Sequence, residues 1–442
     1  MRSTFLPLFA VLGAAAILLV GAGLQGVLLP VRGQMEGFAT FSIGLLASAY
    51  SVGYVAGCFI TPRMVRRVGH IRTFGVMAAM AASIILLQLL IISAPAWIVL
   101  RMIAGLCLAG LMMVIESWLN ERATNANRGL VFSVYMVVNL SAVTGGQLLL
   151  ATSAPEGFRL FVIAGIAIAL SLVPISLTRF AAPQPVQQVS IRLVRLYRMS
   201  PVGLVGAFTV GLANGAWGGL GPVFAHARGL EAGHVALVMS AAVMGGAISQ
   251  LPVGRLSDRI DRRRVMIGAC IAAIAVALTV GSLPFLTGYA LVGAILLYGM
   301  AIFPLYGLAV AHTNDFLSPE DFVEASSALL MVYGFGAIIG PMLAAEAMSL
   351  IGNGALFYYT ALVHLLFIGF VLMRMRKRAA PPVEEKDPFR VTDGAISPQG
   401  ALLDPRGPGD VETMQEGGPD GTPPSGPDLP PDPPGEEVTK AA

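Results

Sequence analysis

Twelve stretches of this chain are each apolar over about the length a helix needs to cross the hydrocarbon core of a bilayer. They fall near 8–30, 40–61, 73–93, 96–118, 130–152 and 159–178, and then near 201–223, 234–254, 265–283, 286–311, 324–348 and 355–373. A segment in lipid must satisfy its backbone groups internally, and runs of this length do so as α-helices. Composition agrees. Apolar residues make up 56% of the chain and charged residues 12%, against about 25% charged in soluble domains. Arg2 and the apolar run behind it resemble a secretory leader, but the run is long enough to span and further spans follow at once, so it reads as the first helix.

Lysine and arginine placement sets the orientation. With the N-terminus inside, the cytoplasmic segments and ends collect 20 Lys and Arg residues, and the outer loops hold only Arg32, Arg159 and Arg228. A wrong span count would scramble this separation. The reading is therefore an all-α membrane protein of twelve helices with both termini in the cytoplasm.

The two sets of six resemble each other. Gly23, Gly26, Leu28 and Pro30 recur 192 residues later as Gly215, Gly218, Leu220 and Pro222. The same offset pairs Gly37 with Gly229, Ser48 with Ser240 and Gly53 with Gly245. An offset of 194 pairs Asn120 with Asn314, Glu121 with Asp315 and Gly146 with Gly340. A near-constant offset across several helices implies a duplicated six-helix unit. The expected organisation is a first bundle over 1–178, a cytoplasmic linker over 179–200 ending in a basic run suited to a short interfacial helix, and a second bundle over 201–378. A Pro/Gly/acidic tail over 379–442 lacks the composition to build a core and is expected to be disordered.

After the eighth span comes Gly254-Arg-Leu-Ser-Asp258-Arg259-Ile-Asp261-Arg262-Arg263-Arg264. An acid at a helix end among arginines can pair with them and cap the backbone amides of the next helix. Such a latch can hold a cytoplasmic gate. The run resembles motif A of the major facilitator superfamily in its second-half copy. The first-half copy, Pro62-Arg63-Met64-Val65-Arg66-Arg67-Val68-Gly69-His70, carries Arg66 where the acid belongs, so a first-half latch needs another pairing.

Other motifs extend the resemblance. Arg101, four residues before Gly105, resembles motif B, and the resemblance implies a role in proton coupling or in holding anionic substrate groups. Glu121 and Arg128, with six residues between them, resemble the family's E-x6-R element. The run Gly334-Phe-Gly336-Ala-Ile-Ile-Gly340-Pro341 is similar to motif C, which the family usually shows in its fifth helix. Glu116-Ser-Trp-Leu-Asn120 together with His312-Thr-Asn314-Asp315 resembles a bacterial branch of the superfamily, the YcaD-like permeases. The resemblance implies a bacterial inner-membrane transporter that works by alternating access.

Candidate residues follow. Arg101 and Glu116 share one face of the fourth span but lie about 22 Å apart at 1.5 Å per residue, so they cannot pair with each other. Both are candidate coupling or gating residues, and Glu116 is a candidate protonatable carboxylate or a partner of Arg128. Gln25, Tyr135, Asn139, Asn214, Trp217 and Tyr333 are candidate cavity residues, Gln25 and Trp217 being equivalent positions of the two halves. The cytoplasmic gate is expected to comprise Gly254, Asp258, Arg259, Asp261, Arg262, Arg263, Glu121, Arg128, His312 and Asp315. The lone His364 reads as structural. Cys58, Cys107 and Cys270 are odd in number, lack ligand spacing and read as small apolar packing residues.

The sequence holds no Walker A loop, H-E-x-x-H, G-x-S-x-G or C-x-x-C. ATP-driven transport by this chain alone, common hydrolytic chemistry and a metal site thus have no support, and neither a cofactor nor a nucleic-acid partner is indicated. The expected function is secondary transport of a small organic solute coupled to protons, export being favoured over import, by a monomer in the bilayer. The alternatives are a transporter-like receptor or scaffold, a lipid or amphiphile exporter and, least supported, an intramembrane enzyme. The scarcity of membrane acids argues against a highly cationic substrate.

Overall fold

A computed structural model describes residues 2–123, 127–177, 192–318 and 321–378, and the single residues 386 and 389. The expectation of disorder over 379–442 otherwise falls outside the described residues. All regular structure among these residues is helical. The first bundle contains α1 (Arg2–Met35), α2 (Thr40–Val68), α3 (His70–Leu90), α4 (Ala94–Arg122), α5 (Arg128–Leu148) and α6 (Arg159–Leu170, continued by Leu172–Leu177). The second contains α7 (Pro201–Ala227), α8 (Ala232–Arg259), α9 (Arg262–Ser282), α10 (Gly288–Ile302, continued by Pro304–Asn314), α11 (Phe322–Ile351) and α12 (Ala355–Met375).

Eleven of these meet the length and hydropathy needed to cross a membrane on their own. The twelfth span, α7, follows a short helix, Leu193–Met199, across a 115° bend. That short helix occupies the basic end of the linker. Arg195 clamps it to the second bundle by donating twice to Asp321, at 2.9 and 3.2 Å.

Glycine determines which helices touch. In lipid there is no hydrophobic force to press helices together, so close backbone approach through small residues takes over. A Cβ on Gly53 would strike the Met102 carbonyl, and one on Gly105 would strike the Tyr50 carbonyl, which locks α2 against α4. The second half repeats this crossing with Gly245 against Leu296 and Gly299 against Ala242, locking α8 to α10. Gly146 meets the Val20 carbonyl between α5 and α1, and its counterpart Gly340 meets that of Leu212 between α11 and α7. Of the glycines that recur at offsets of 192 and 194, Gly53 with Gly245 and Gly146 with Gly340 are thus contact points of equivalent helix pairs, whereas a Cβ on Gly26 or Gly218 would meet nothing within 4 Å. Gly37 and Gly229, another such pair, turn the chain between the first two helices of each half with φ of 75° and 76°, a conformation glycine adopts without cost.

The two bundles meet at the Arg-poor ends of their helices. Gly44 of α2 lies against Ala345 and the Pro341 carbonyl of α11, and Gly219 of α7 lies against the Ala47 methyl. His226 Nδ1 lies 3.0 Å from Gln34 Oε1, and these two residues are themselves 192 apart. Ser240 of α8 donates to Gln147 of α5 at 3.4 Å.

Replacing Gly105 with leucine should prevent the α2–α4 crossing, because the obstruction is backbone that cannot yield. The expected loss lies at or above the upper end of the about 1–3 kcal/mol typical of overpacking. Gly293→Leu, where a Cβ meets nothing within 4 Å, should be tolerated. Monodispersity and thermal unfolding of the two variants in detergent check this.

Candidate functional site

Between the bundles lies a cavity of about 730 Å³. Its walls come from α1, α2, α4, α5, α7, α8, α10 and α11. Its lining reaches the Arg-rich side at Phe59, Pro62 and Arg63 of α2 and Ser327, Leu330 and Met331 of α11, where Phe59 and Arg63 are exposed, and ends toward the Arg-poor side on the buried Leu29, Ile43 and Leu46. The contacts on the Arg-poor side close its other end.

Five of the candidate cavity and coupling residues line it: Arg101, Gln25, Asn139, Asn214 and Tyr333. Arg101 reaches it from α4, with its guanidinium 4.3 Å from the centre of the Tyr50 ring, a cation–π stack. Tyr333 packs edge-on against Tyr306, ring centres 5.3 Å apart. Gln25 Nε2, Asn139 Oδ1 and Asn214 Oδ1 are buried polar atoms that find no hydrogen-bond partner.

Glu116, Tyr135 and Trp217 stand elsewhere, in the packed interiors of their bundles. Glu116 is 0% exposed and accepts a hydrogen bond from the Tyr135 hydroxyl at 2.7 Å. It acts electrostatically on Tyr54 and Cys58, and those two side chains of α2 line the cavity. The carboxylate is therefore one layer behind the cavity wall. Trp217 is enclosed by Tyr298 and Phe357, at 5.8 and 5.9 Å between ring centres, because Gly221 leaves room for its ring. Its equivalent Gln25 faces the cavity, so the duplicated position has diverged between core and wall. Of the cysteines, Cys107 and Cys270 are buried, whereas Cys58 is only partly buried and lines the cavity, a correction to its reading as packing alone.

At the Arg-rich end the motif around Asp258 forms a network. Arg262 donates to both Asp315 oxygens, at 2.8 and 3.1 Å, and to Asp258 and the Ser257 hydroxyl, each at 2.9 Å. Side chains 262 and 315 are each 1% exposed. Asp261 caps α9 by accepting from the backbone N–H of Arg263. Burial raises the Asp261 carboxyl, but the hydrogen bonds and charge of Arg263 outweigh it, so its pKa lies below the ordinary aspartate value. His312 stacks edge-on with Phe316 at 5.1 Å. Arg259 and Glu121 are exposed, and Arg128 opens α5 with its Nε unpartnered.

The first half is built differently. Position 70 is equivalent to 262, and 118 to 312, by the two offsets. There the buried His70 ring lies 5.9 Å from Trp118, and Glu121, the counterpart of Asp315, is exposed.

One participant was not legible in the sequence. Phe389, from the tail, seats its ring over Gly254, where any side chain would collide with it, and donates its N–H to Asp258 at 2.9 and 3.1 Å. Lys386 donates to the Ile260 carbonyl at 2.7 Å. Only its place beyond the last span, among acidic and Pro/Gly-rich residues, was visible beforehand.

Two six-helix bundles around one central cavity are a transporter architecture. The model of the Major Facilitator Superfamily matches residues 11–321 and 204–409. The chain belongs to that superfamily. It is 26% identical over 379 residues to a protein of Escherichia fergusonii named uncharacterized MFS-type transporter YcaD, covering 85% of this chain and 98% of that one. The Shigella flexneri protein of the same name is 26% identical over 380 residues, covering 85% and 98%. Among solved structures, the nucleoside transporter NupG shares the fold at a TM-score of 0.72 and 15% identity, over 84% of this chain and 99% of that one. A bacterial homolog of the human lysosomal transporter Spinster does so at 0.69 and 15%, over 86% and 97%. The superfamily chain is thus a multi-pass membrane protein with a transporter fold.

Removing Asp315 should strand the buried Arg262 charge. Asp315→Ala is expected to cost about 3–5 kcal/mol, the penalty of breaking a buried pair from one side. Arg259→Ala, at an exposed position, should stay within about 0.5 kcal/mol. Unfolding of the purified variants in detergent measures both.

Proposed function

We propose that this chain is a secondary active transporter that moves a small organic solute across a bacterial inner membrane by alternating access. One observation carries the reading: the bundles are sealed together at one end of a central cavity and parted at the other. A solute site between two rocking bundles needs this arrangement. The distribution of positive charge supports reading the Arg-rich side as the cytoplasm, which makes this an inward-open state with both termini inside.

Proton coupling is assigned to Glu116. A carboxylate enclosed by protein at membrane depth is rare, and such groups mark proton relays. Its position behind Tyr54 and Cys58, bonded to Tyr135 of α5, joins α4 to α5 next to the solute wall. Protonation would change what the Tyr135 hydroxyl and the α2 side chains experience, so proton and solute can bias the same rocking motion. The gate residues around Asp258 and Arg262 hold α8, α9 and α10 as one body at the cytoplasmic end. Like most of its superfamily, the chain is proposed to act as a monomer.

Everted vesicles acidified inside, with a pH-sensitive dye and a panel of metabolites and drugs, test this. At least one compound should dissipate the gradient with the wild type. Glu116→Gln should bring that dissipation to near background while solute exchange without a gradient persists. Gradient-driven uptake that survives intact in Glu116→Gln would remove this carboxylate from the coupling path. Cys58 supplies an independent check on the state, since a thiol on the cavity wall should react with a polar maleimide from the Arg-rich side and not from the other.

A further inference from the structure

The charges on the cavity wall do not balance. Arg101 and Arg63 line it, while among the described residues no aspartate, glutamate or histidine does. Arg63 is exposed at the mouth and already donates to the Phe59 carbonyl at 2.9 Å. Arg101 lies deeper, on the face of Tyr50, and among the described residues no carboxylate pairs with it. Among the described residues, the arginines that are nine-tenths or more buried each have a carboxylate partner, Arg32 with Glu36, Arg262 with Asp315 and Arg263 with Asp261, whereas Arg101, which is partly exposed, has none. A guanidinium in a low-dielectric site without a counter-ion is costly. An anion brought in from solution would supply what the protein withholds.

The rest of the wall narrows the class. Gln25, only 5% exposed, has its Nε2 unpartnered, and Asn139 and Asn214 have their Oδ1 unpartnered. They come from α1, α5 and α7 and offer neutral amides that can donate or accept, since the amide orientation is exchangeable. Much of the remaining surface is apolar, including Leu29, Ile43, Leu46 and Met112. A volume of about 730 Å³ suits a drug-sized organic molecule and exceeds the need of an inorganic ion. One deep cation matches one negative charge. Its planar fork matches a carboxylate or a similarly flat anionic head.

The geometry points to an amphipathic organic monoanion as the ligand of this cavity. Its anionic head pairs with Arg101, which Tyr50 holds in plane, and its apolar body lies along the aliphatic wall. An organic cation would meet two positive charges and no acid. This assignment rests on the transport reading for the role of the cavity, but binding is measurable without any gradient.

The test uses the full chain in lipid nanodiscs and aryl carboxylates of increasing length, from benzoate to phenyloctanoate, each with its matched primary amine and carboxamide. Thermal unfolding and calorimetric titration report binding. At least one carboxylate should raise the unfolding midpoint, and its amine and amide counterparts should not. Arg101→Gln should weaken that carboxylate about tenfold or more, as expected for loss of a charge-assisted pair, and Arg101→Lys should retain an intermediate affinity. The inference is overturned if no carboxylate of the series binds, if a matched amine or amide binds as well, or if Arg101→Gln binds the acid unchanged. The wild-type comparison decides the matter even where Arg101→Gln fails to fold. Carboxylate binding without any flux would sink the transport reading and leave this one standing.

Discussion

Backbone groups in a bilayer have no water to turn to, and this constraint precedes everything else in the structure. It restricts the spanning segments to helices and leaves the sequence to choose only which helices touch and how closely. Glycine makes that choice here. Gly53 and Gly105 lock α2 to α4, Gly146 locks α5 to α1, and the second half repeats both crossings with Gly245, Gly299 and Gly340. Contacts of this kind are backbone against backbone, so they fix each bundle as a rigid body. Rigidity within the halves is what confines motion to the surface between them. There the contacts at the Arg-poor end are fewer in kind: Gly44 and Gly219 against small side chains, and two side-chain hydrogen bonds.

The membrane also governs how the chain handles charge. At the Arg-rich end Arg262 is buried, but two carboxylates and a hydroxyl surround it. The network ties the end of α8 to the start of α9 and the end of α10. Phe389 completes it from beyond α12, its N–H taking part of the lone-pair capacity of Asp258. A pairing this complete is a joint between rigid pieces.

The fold was legible in the sequence to a large degree because lipid makes apolar length decisive and because duplication repeats its glycines at a fixed spacing. The cavity was legible only in part. Helical periodicity shows that polar residues share a face, and it cannot say whether that face meets a cavity or another helix. Gln25, Asn139 and Asn214 turned out to face space, whereas Tyr135 and Glu116 face each other across α5 and α4. Trp217 shares its face with small residues that suggested a lining, but an aromatic box of Tyr298 and Phe357 enclosed it. Asp315 was recognisable as a gate residue, but its bidentate bond to Arg262 depends on a contact across 53 residues, which local spacing does not encode. The contacts of Phe389 were hidden by the disorder-like composition around it.

The two halves have diverged in where they place their ionisable groups. The second half anchors its Arg-rich end with an ion pair at 262 and 315, whereas in the first half His70, the counterpart of Arg262, makes a ring contact with Trp118. The first half instead places its ionisable groups deeper, with Arg101 on the cavity wall and Glu116 one layer behind it. Depth changes what a charge is for. A guanidinium at a helix end can be satisfied by neighbouring loops and water, so pairing it there serves structure. A guanidinium on the cavity wall has only the protein and whatever enters the cavity. Where the protein gives it an aromatic face and no acid on the cavity wall, the proposed preference for an anion rests on the low dielectric that makes an unpaired cation costly.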